Sequence, residues 1–307
     1  MATAFVHHRD CALHDMGSHH PESPARLGSI EDHLLATGLR DHLVDVDAPV
    51  AERGQLLRVH DADYVDAIAA AVPVRGIVHL DPDTAMCPHT QQAALRAAGA
   101  LVKATDMVMA GEVENAFCNV RPPGHHAERH RAMGFCFFNN VAVGAAHALE
   151  VHGLERVAVV DFDVHHGNGT ENIFADDERV MMVSTFQHPF YPYAGIDGRS
   201  ERMVNIPLAA YSGSNEFREA VETFWLPALA RFRPQMIFIS AGFDAHRDDD
   251  LAMLGLVEKD YTWVTNRIVQ AATRHADGRI VSTLEGGYNL PALARSVAAH
   301  VKVLCGI

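Results

Sequence analysis

The segment Asp161-Phe162-Asp163-Val164-His165-His166-Gly167-Asn168-Gly169 follows the apolar run 157–160 and breaks into a glycine-punctuated loop. Strand alternation carries Asp161, Asp163 and His165 to one side, and Phe162 and Val164 to the other. Two carboxylates and an imidazole at a strand end suit a divalent metal. A solvated acidic edge is the weaker reading, because charges beside a buried run pair or coordinate. A second apolar run, 236–240, leads into Ala241-Gly242-Phe243-Asp244-Ala245-His246. Asp244 alone reads as a turn or cap residue. Joined to Asp163 and His165, it makes two Asp and one His, which leave one position of a four-coordinate zinc open, as catalytic sites do.

Three further segments carry polar groups that such a metal would use. Arg121-Pro122-Pro123-Gly124-His125-His126 presents two imidazoles on a rigid lead-in. With 21 His in 307 residues, about one or two adjacent pairs arise by chance, and the chain has four. The pair is weak evidence by itself, and the fixed backbone matters more. A neutral His beside a metal-activated water is suited to general-base work. Glu285-Gly286-Gly287-Tyr288-Asn289 turns sharply after the run 279–284. Its phenol is either a donor to a developing oxyanion or a loop residue with its hydroxyl in water. The aromatic segments Met133–Asn140 and Phe190-Tyr191-Pro192 wall a channel or pack as core. Cys136 reads as a small packing residue, since no base is assigned to it.

Strands must position these groups. Short apolar runs at 4–7, 116–120, 157–162, 180–185, 203–206, 236–240 and 279–284 alternate with helical patterns at 89–110, 215–232 and 259–275. On the second helix Phe217, Val221, Phe224, Ala228 and Phe232 share a face, with a kink expected at Pro227. The alternation predicts an α/β fold: one domain over 1–307, a parallel sheet with helices on both faces. Chemistry then belongs in loops beyond the carboxyl ends of the strands, where all the motifs fall.

Composition narrows the function. With 25 Lys and Arg against 39 Asp and Glu, the net charge is −14, which argues against general nucleic-acid binding. No apolar run approaches the ~20 residues of a membrane helix, and the first residues do not read as a signal peptide. Five cysteines, an odd and sparse number, suit a reducing compartment. The expected setting is cytoplasmic, and self-association is left open.

Taken in order, RPPGHHA, GFCFFNN, DFDVHHGNG, SAGFDAH and LEGGYN resemble the histone deacetylase family, over about residues 19–300. His20-Pro21-Glu22-Ser23-Pro24-Ala25-Arg26 is similar to its opening motif. The PPGHH and EGGY forms look more like the class II and bacterial amidohydrolase branch. The resemblance implies an arginase-like α/β fold and zinc-dependent hydrolysis of N-acetyl amines such as acetylated lysine in a peptide or protein, or a small acetylated amine. It implies one zinc held by Asp163, His165 and Asp244, with His126 as general base. His125 is then an electrostatic companion held by Asp161, and Tyr288 polarises the acetyl carbonyl. Phe135, Tyr191 and Gly134 would line the acyl tunnel, and Arg26 would lie near the inner pocket where acetate departs. A structural potassium is also implied, at Asp161, the main-chain oxygens of Asp163 and His165, and Ser184 with Thr185.

Two positions depart from family patterns. Asn168 stands where class I enzymes carry Asp, so the partner of His126 is a neutral amide, which does not raise the imidazole as a carboxylate would. Leu251 stands at the channel position where acetylpolyamine specialists carry a gatekeeper Glu, which weakens one polyamine reading without excluding an acetylpolyamine amidohydrolase. The run Arg247-Asp248-Asp249-Asp250 reads as solvated surface, with the option of greeting a cationic substrate. Two rivals remain. A binuclear manganese hydrolase would use Asp161, Asp163, His165, Asp244 and His246; an acyl-lysine binding module would use the pocket without hydrolysis.

Overall fold

The apolar runs of the sequence become the centre of a sheet whose strands all point the same way. A computed structural model describes residues 2–196 and 200–307. Its strands are β1 (Thr3–His7), β2 (Leu43–Asp47), β3 (Val78–His79), β4 (Ala85–Met86), β5 (Asn115–Cys118), β6 (Val157–Asp161), β7 (Val180–Gln187), β8 (Met203–Leu208), β9 (Met236–Ala241) and β10 (Ile280–Leu284). Eight of them form a parallel sheet in the order β2-β1-β5-β10-β9-β6-β7-β8, and β3 with β4 makes a separate antiparallel hairpin. Every residue of β5, β6, β9 and β10 is buried. Helices cover both faces, which is why these strands are apolar throughout rather than alternating.

Thr90–Met109 packs on β1, β5 and β10, and Asn140–Glu150 on β6 and β9. Across the sheet, Glu258–His275 meets β9, Leu290–Leu304 meets β5 and Leu226–Phe232 meets β7. Two of these helices are capped by an asparagine at the end of a motif. Asn139 accepts from Ala142 N at 3.0 Å and Asn289 from Ala292 N at 3.1 Å. Each side chain satisfies a first-turn amide, so the functional loops are anchored to helix starts.

Two sequence expectations change. The edge strand β2 and the β3–β4 hairpin were not anticipated; Leu43-Val44-Asp45-Val46-Asp47 lies half in solvent and lacks a continuous apolar signal. The helical segment 215–232 does not keep one face. Pro227 crowds the preceding turn and lacks an N–H, and the chain widens into a π turn over Val221–Trp225 before helix resumes at Leu226. The wider turn shifts the phase by one residue. Trp225 takes the buried position expected for Phe224, which is 47% exposed.

Candidate active site

β5, β10, β9 and β6 are consecutive neighbours, so the loops that follow them open along one edge. After β6 the chain makes two successive Asx turns. Asp163 N donates to Asp161 Oδ1 at 3.0 Å, and His165 N donates to Asp163 Oδ1 at 2.9 Å. These turns, not continued strand alternation, deliver the side chains, because β6 ends at Asp161. Asp161 therefore parts from the other two and bonds His125 Nδ1 at 3.0 Å.

Asp163 and His165 meet Asp244. His165 Nδ1 lies 3.0 Å from Asp163 Oδ1 and 3.2 Å from Asp244 Oδ2, and one donor atom from each of the three residues falls within 4.8 Å of the others. Val164 N holds Asp244 Oδ1 at 2.9 Å and Gly286 N holds Asp163 Oδ2 at 2.8 Å. Asp244 Oδ2 is buried and takes no hydrogen bond. Burial and the charge of Asp163 raise Asp244 to about 6; a cation between the carboxylates removes both penalties. Glycines leave the space: a Cβ on Gly286 would lie 2.0 Å from Asp244 Oδ2, and one on Gly242 2.0 Å from Asp163 Oδ2. The residues present fit a divalent metal.

The histidines divide by their partners. Burial lowers His126 well below its ordinary value, and the neighbouring imidazoles His125 and His165 add to this. Its Nδ1 lies 2.8 Å from Asn168 Oδ1, and Asn168 Nδ2 donates to Glu128 Oε1 at 2.8 Å. That second bond fixes the amide orientation, so His126 Nδ1 is the donor and Nε2 keeps its lone pair. Burial also acts against a charge on His125, but Asp163 and Asp161 outweigh it and push His125 up to about 10. Glu285 accepts Gly124 N at 2.7 Å and His125 N at 3.2 Å, which ties the histidine loop to the turn after β10. Nothing in the local sequence around Glu285 marks this part.

Tyr288 keeps some solvent exposure, yet burial raises its phenol well above the ordinary value. Its ring meets Phe135 edge-on at 5.9 Å, and the Arg26 guanidinium lies 4.9 Å from its centroid. Arg26 is fully buried and engaged: Nε donates to Gly287 O at 2.6 Å, Nη1 to Glu22 Oε1 at 3.0 Å, and Nη2 to Glu285 O. Glu22, a residue the sequence reading left without a role, also binds Arg121 and is lowered to about 2, the guanidinium charge outweighing burial.

Phe135 sits in a two-residue turn closed by Met133 and Cys136, with φ +57° at Gly134 and +69° at Phe135. A Cβ on Gly134 would come within 2.4 Å of the His126 ring, so only glycine lets this wall pass the imidazole. Tyr191 meets His126 edge-on at 5.3 Å, and Phe190 stacks on His165 at 5.6 Å. Leu251 is partly buried on the loop after β9. Cys136 is buried, with its thiol on Gly134 O at 3.2 Å. The acidic run divides: Asp249 is only 5% exposed, because its carboxylate caps backbone amides, and so it is not solvated surface.

A second His and Asp group lies on the helix side. Asp106 Oδ1 takes His147 Nε2 and His152 Nε2, each at 2.7 Å. Arg58 lies 2.9 Å from His147 Nδ1. An arginine only donates, so the proton of His147 is on Nε2 and faces Asp106. In this arrangement His147 offers a cation no lone pair, and Asp106 serves as its hydrogen-bond acceptor.

Residues 20–304 match the histone deacetylase domain. The chain belongs to the histone deacetylase family. It is 37% identical to a histone deacetylase-like amidohydrolase of Pseudomonas aeruginosa, over 99% of this chain and 86% of that one. It is 35% identical to the human polyamine deacetylase HDAC10, covering all of this chain and 48% of that one. The crystal structure of the HDA15 HD domain matches with a TM-score of 0.92 at 32% identity, over 99% of this chain and 88% of that chain. The fold is the deacetylase fold, and the chain is a hydrolytic deacetylase of a family that points to a metal cofactor. No helix among the described residues is long and apolar enough to cross a membrane.

Proposed function

We propose that this deacetylase removes an acetyl or short acyl group from acetyl-lysine-like substrates, with one zinc held by Asp163, His165 and Asp244. The carrying observation is the convergence of those three side chains beside His126, whose free Nε2 is set by Asn168. When bound, zinc supplies Lewis acidity that polarises the acetyl carbonyl and acidifies water at the site. His126 Nε2 takes a proton from the attacking water and returns it to the leaving amine. His125, held on Asp161 at 3.0 Å, is the electrostatic companion of His126. The Tyr288 hydroxyl donates to the carbonyl oxygen. Phe135, Gly134 and Tyr191 hold the acyl chain, Leu251 lines the channel, and Arg26 braces the inner pocket.

Potassium belongs to the same proposal, at Asp161, the main-chain oxygens of Asp163 and His165, and Ser184 with Thr185. Its support is the Ser184 hydroxyl, buried without a hydrogen-bond partner. A cytoplasmic setting rests on five cysteines that are all free and buried. One observation counts against the binuclear rival: His246 Nδ1 accepts Asp248 N at 3.1 Å.

The test is acetate release from acetyl-lysine peptides, acetylputrescine, acetylspermidine and longer acyl-lysines, alongside metal counting. One zinc per chain is expected, with acetyl-lysine peptides turned over at least as fast as acetylspermidine. No release from any of them by zinc-replete protein overturns the reading, and two manganese ions per chain revive the arginase-type rival. Asn168→Asp tests the base. An anion at Nδ1 favours the imidazolium, so the His126 pKa rises and its basic form appears only at higher pH. The acidic limb of kcat/KM is expected to move up by about one unit or more; an unmoved limb removes His126 from that role.

A further inference from the structure

We propose that Asp249 is a positioning residue that sets the Tyr288 hydroxyl by gripping the backbone of its turn; this rests on the reading of Tyr288 as carbonyl donor. Among the described residues no protein group holds the Tyr288 hydroxyl, so the ring's placement comes from its main chain and packing. Asp249 Oδ2 accepts Tyr288 N at 2.6 Å and Asn289 N at 3.0 Å. Its Oδ1 accepts Leu251 N at 3.1 Å, and Asp249 N donates to His246 O at 2.9 Å.

A local turn explains only part of this. The Leu251 bond is the usual Asx turn two residues on, and it uses one oxygen. The other oxygen is spent on amides 39 and 40 residues away. Among the described residues Asp249 has no cationic partner in an ion pair, so these amides are what stabilises a carboxylate that is 5% exposed. On the other side Arg26 grips carbonyls of the same turn, at Gly287 and Glu285. Amides facing an anion and carbonyls facing a cation fix how the peptide planes of 285–289 are turned. Gly286 N on Asp163 Oδ2 pins the turn to the metal cluster. The loop that supplies Asp244 thus also grips the turn that carries the phenol.

The experiment is a double-mutant cycle on zinc-replete protein with an acetyl-lysine peptide. Asp249→Ala is expected to lower kcat by about 10–100-fold, with KM within about threefold and zinc content unchanged. Asp249→Asn keeps an acceptor oxygen and should recover part of the loss. In a Tyr288→Phe background, Asp249→Ala should add less than about twofold, because the group it positions is gone. Losses that multiply in the double variant, or zinc lost from both Asp249 variants, overturn the proposal. A Tyr288→Phe variant within about threefold of the unaltered protein overturns the reading of Tyr288 first, and this inference with it.

Discussion

His126→Ala is expected to keep its metal and its fold while kcat for an acetyl-lysine peptide falls by about 10²–10⁴, the range for a lost general base. The three candidate ligands are held without His126: Val164 N and Gly286 N fix the two carboxylates, and His165 N closes the second Asx turn on Asp163. His125 does not substitute. Its Nδ1 is held on the Asp161 carboxylate at 3.0 Å, and that anion favours the protonated ring, which cannot take a second proton from water. Zinc content by atomic absorption, a thermal melt and steady-state kinetics measure the three expectations separately. Turnover within about tenfold of the unaltered protein would take the base assignment away from His126, and loss of zinc would make it a structural support of the cluster.

Much of the site was legible because its chemistry is written in short segments that end strands. The run before Asp161 reads as buried, and the polar residues after it stand out. The order of sheet strands was not legible. Asp163 and Asp244 meet because β6 and β9 are neighbours, and Tyr288 joins them because β10 lies beside β9; none of this adjacency is expressed in local periodicity. Asp161 shows the limit of alternation. Counted along an ideal strand it shares a side with Asp163 and His165, but the Asx turns redirect the chain and send its carboxylate to His125. Asp249 shows the limit of composition. Inside Arg247-Asp248-Asp249-Asp250 it looks solvated, and only the fold supplies the backbone amides that bury it. The π turn before Pro227 is a third case, where one added residue exchanges Phe224 for Trp225 in the core.

Tyr288→Phe isolates a single hydrogen bond. Phenylalanine preserves the ring that meets Phe135 at 5.9 Å and lies beneath the Arg26 guanidinium at 4.9 Å, and the backbone bonds to Asp249 do not involve the side chain. What disappears is a neutral donor. Its phenol is raised well above its ordinary value, so it remains protonated across the working pH range and donates without ionising. Such a donor strengthens as charge moves onto the carbonyl oxygen, and its loss falls on kcat rather than on KM. The expected decrease is about 10²–10³ in kcat, with zinc content unchanged. A loss confined to KM would mean that the hydroxyl binds the resting amide and the charged intermediate equally, and would reassign Tyr288 from the chemical step to substrate capture.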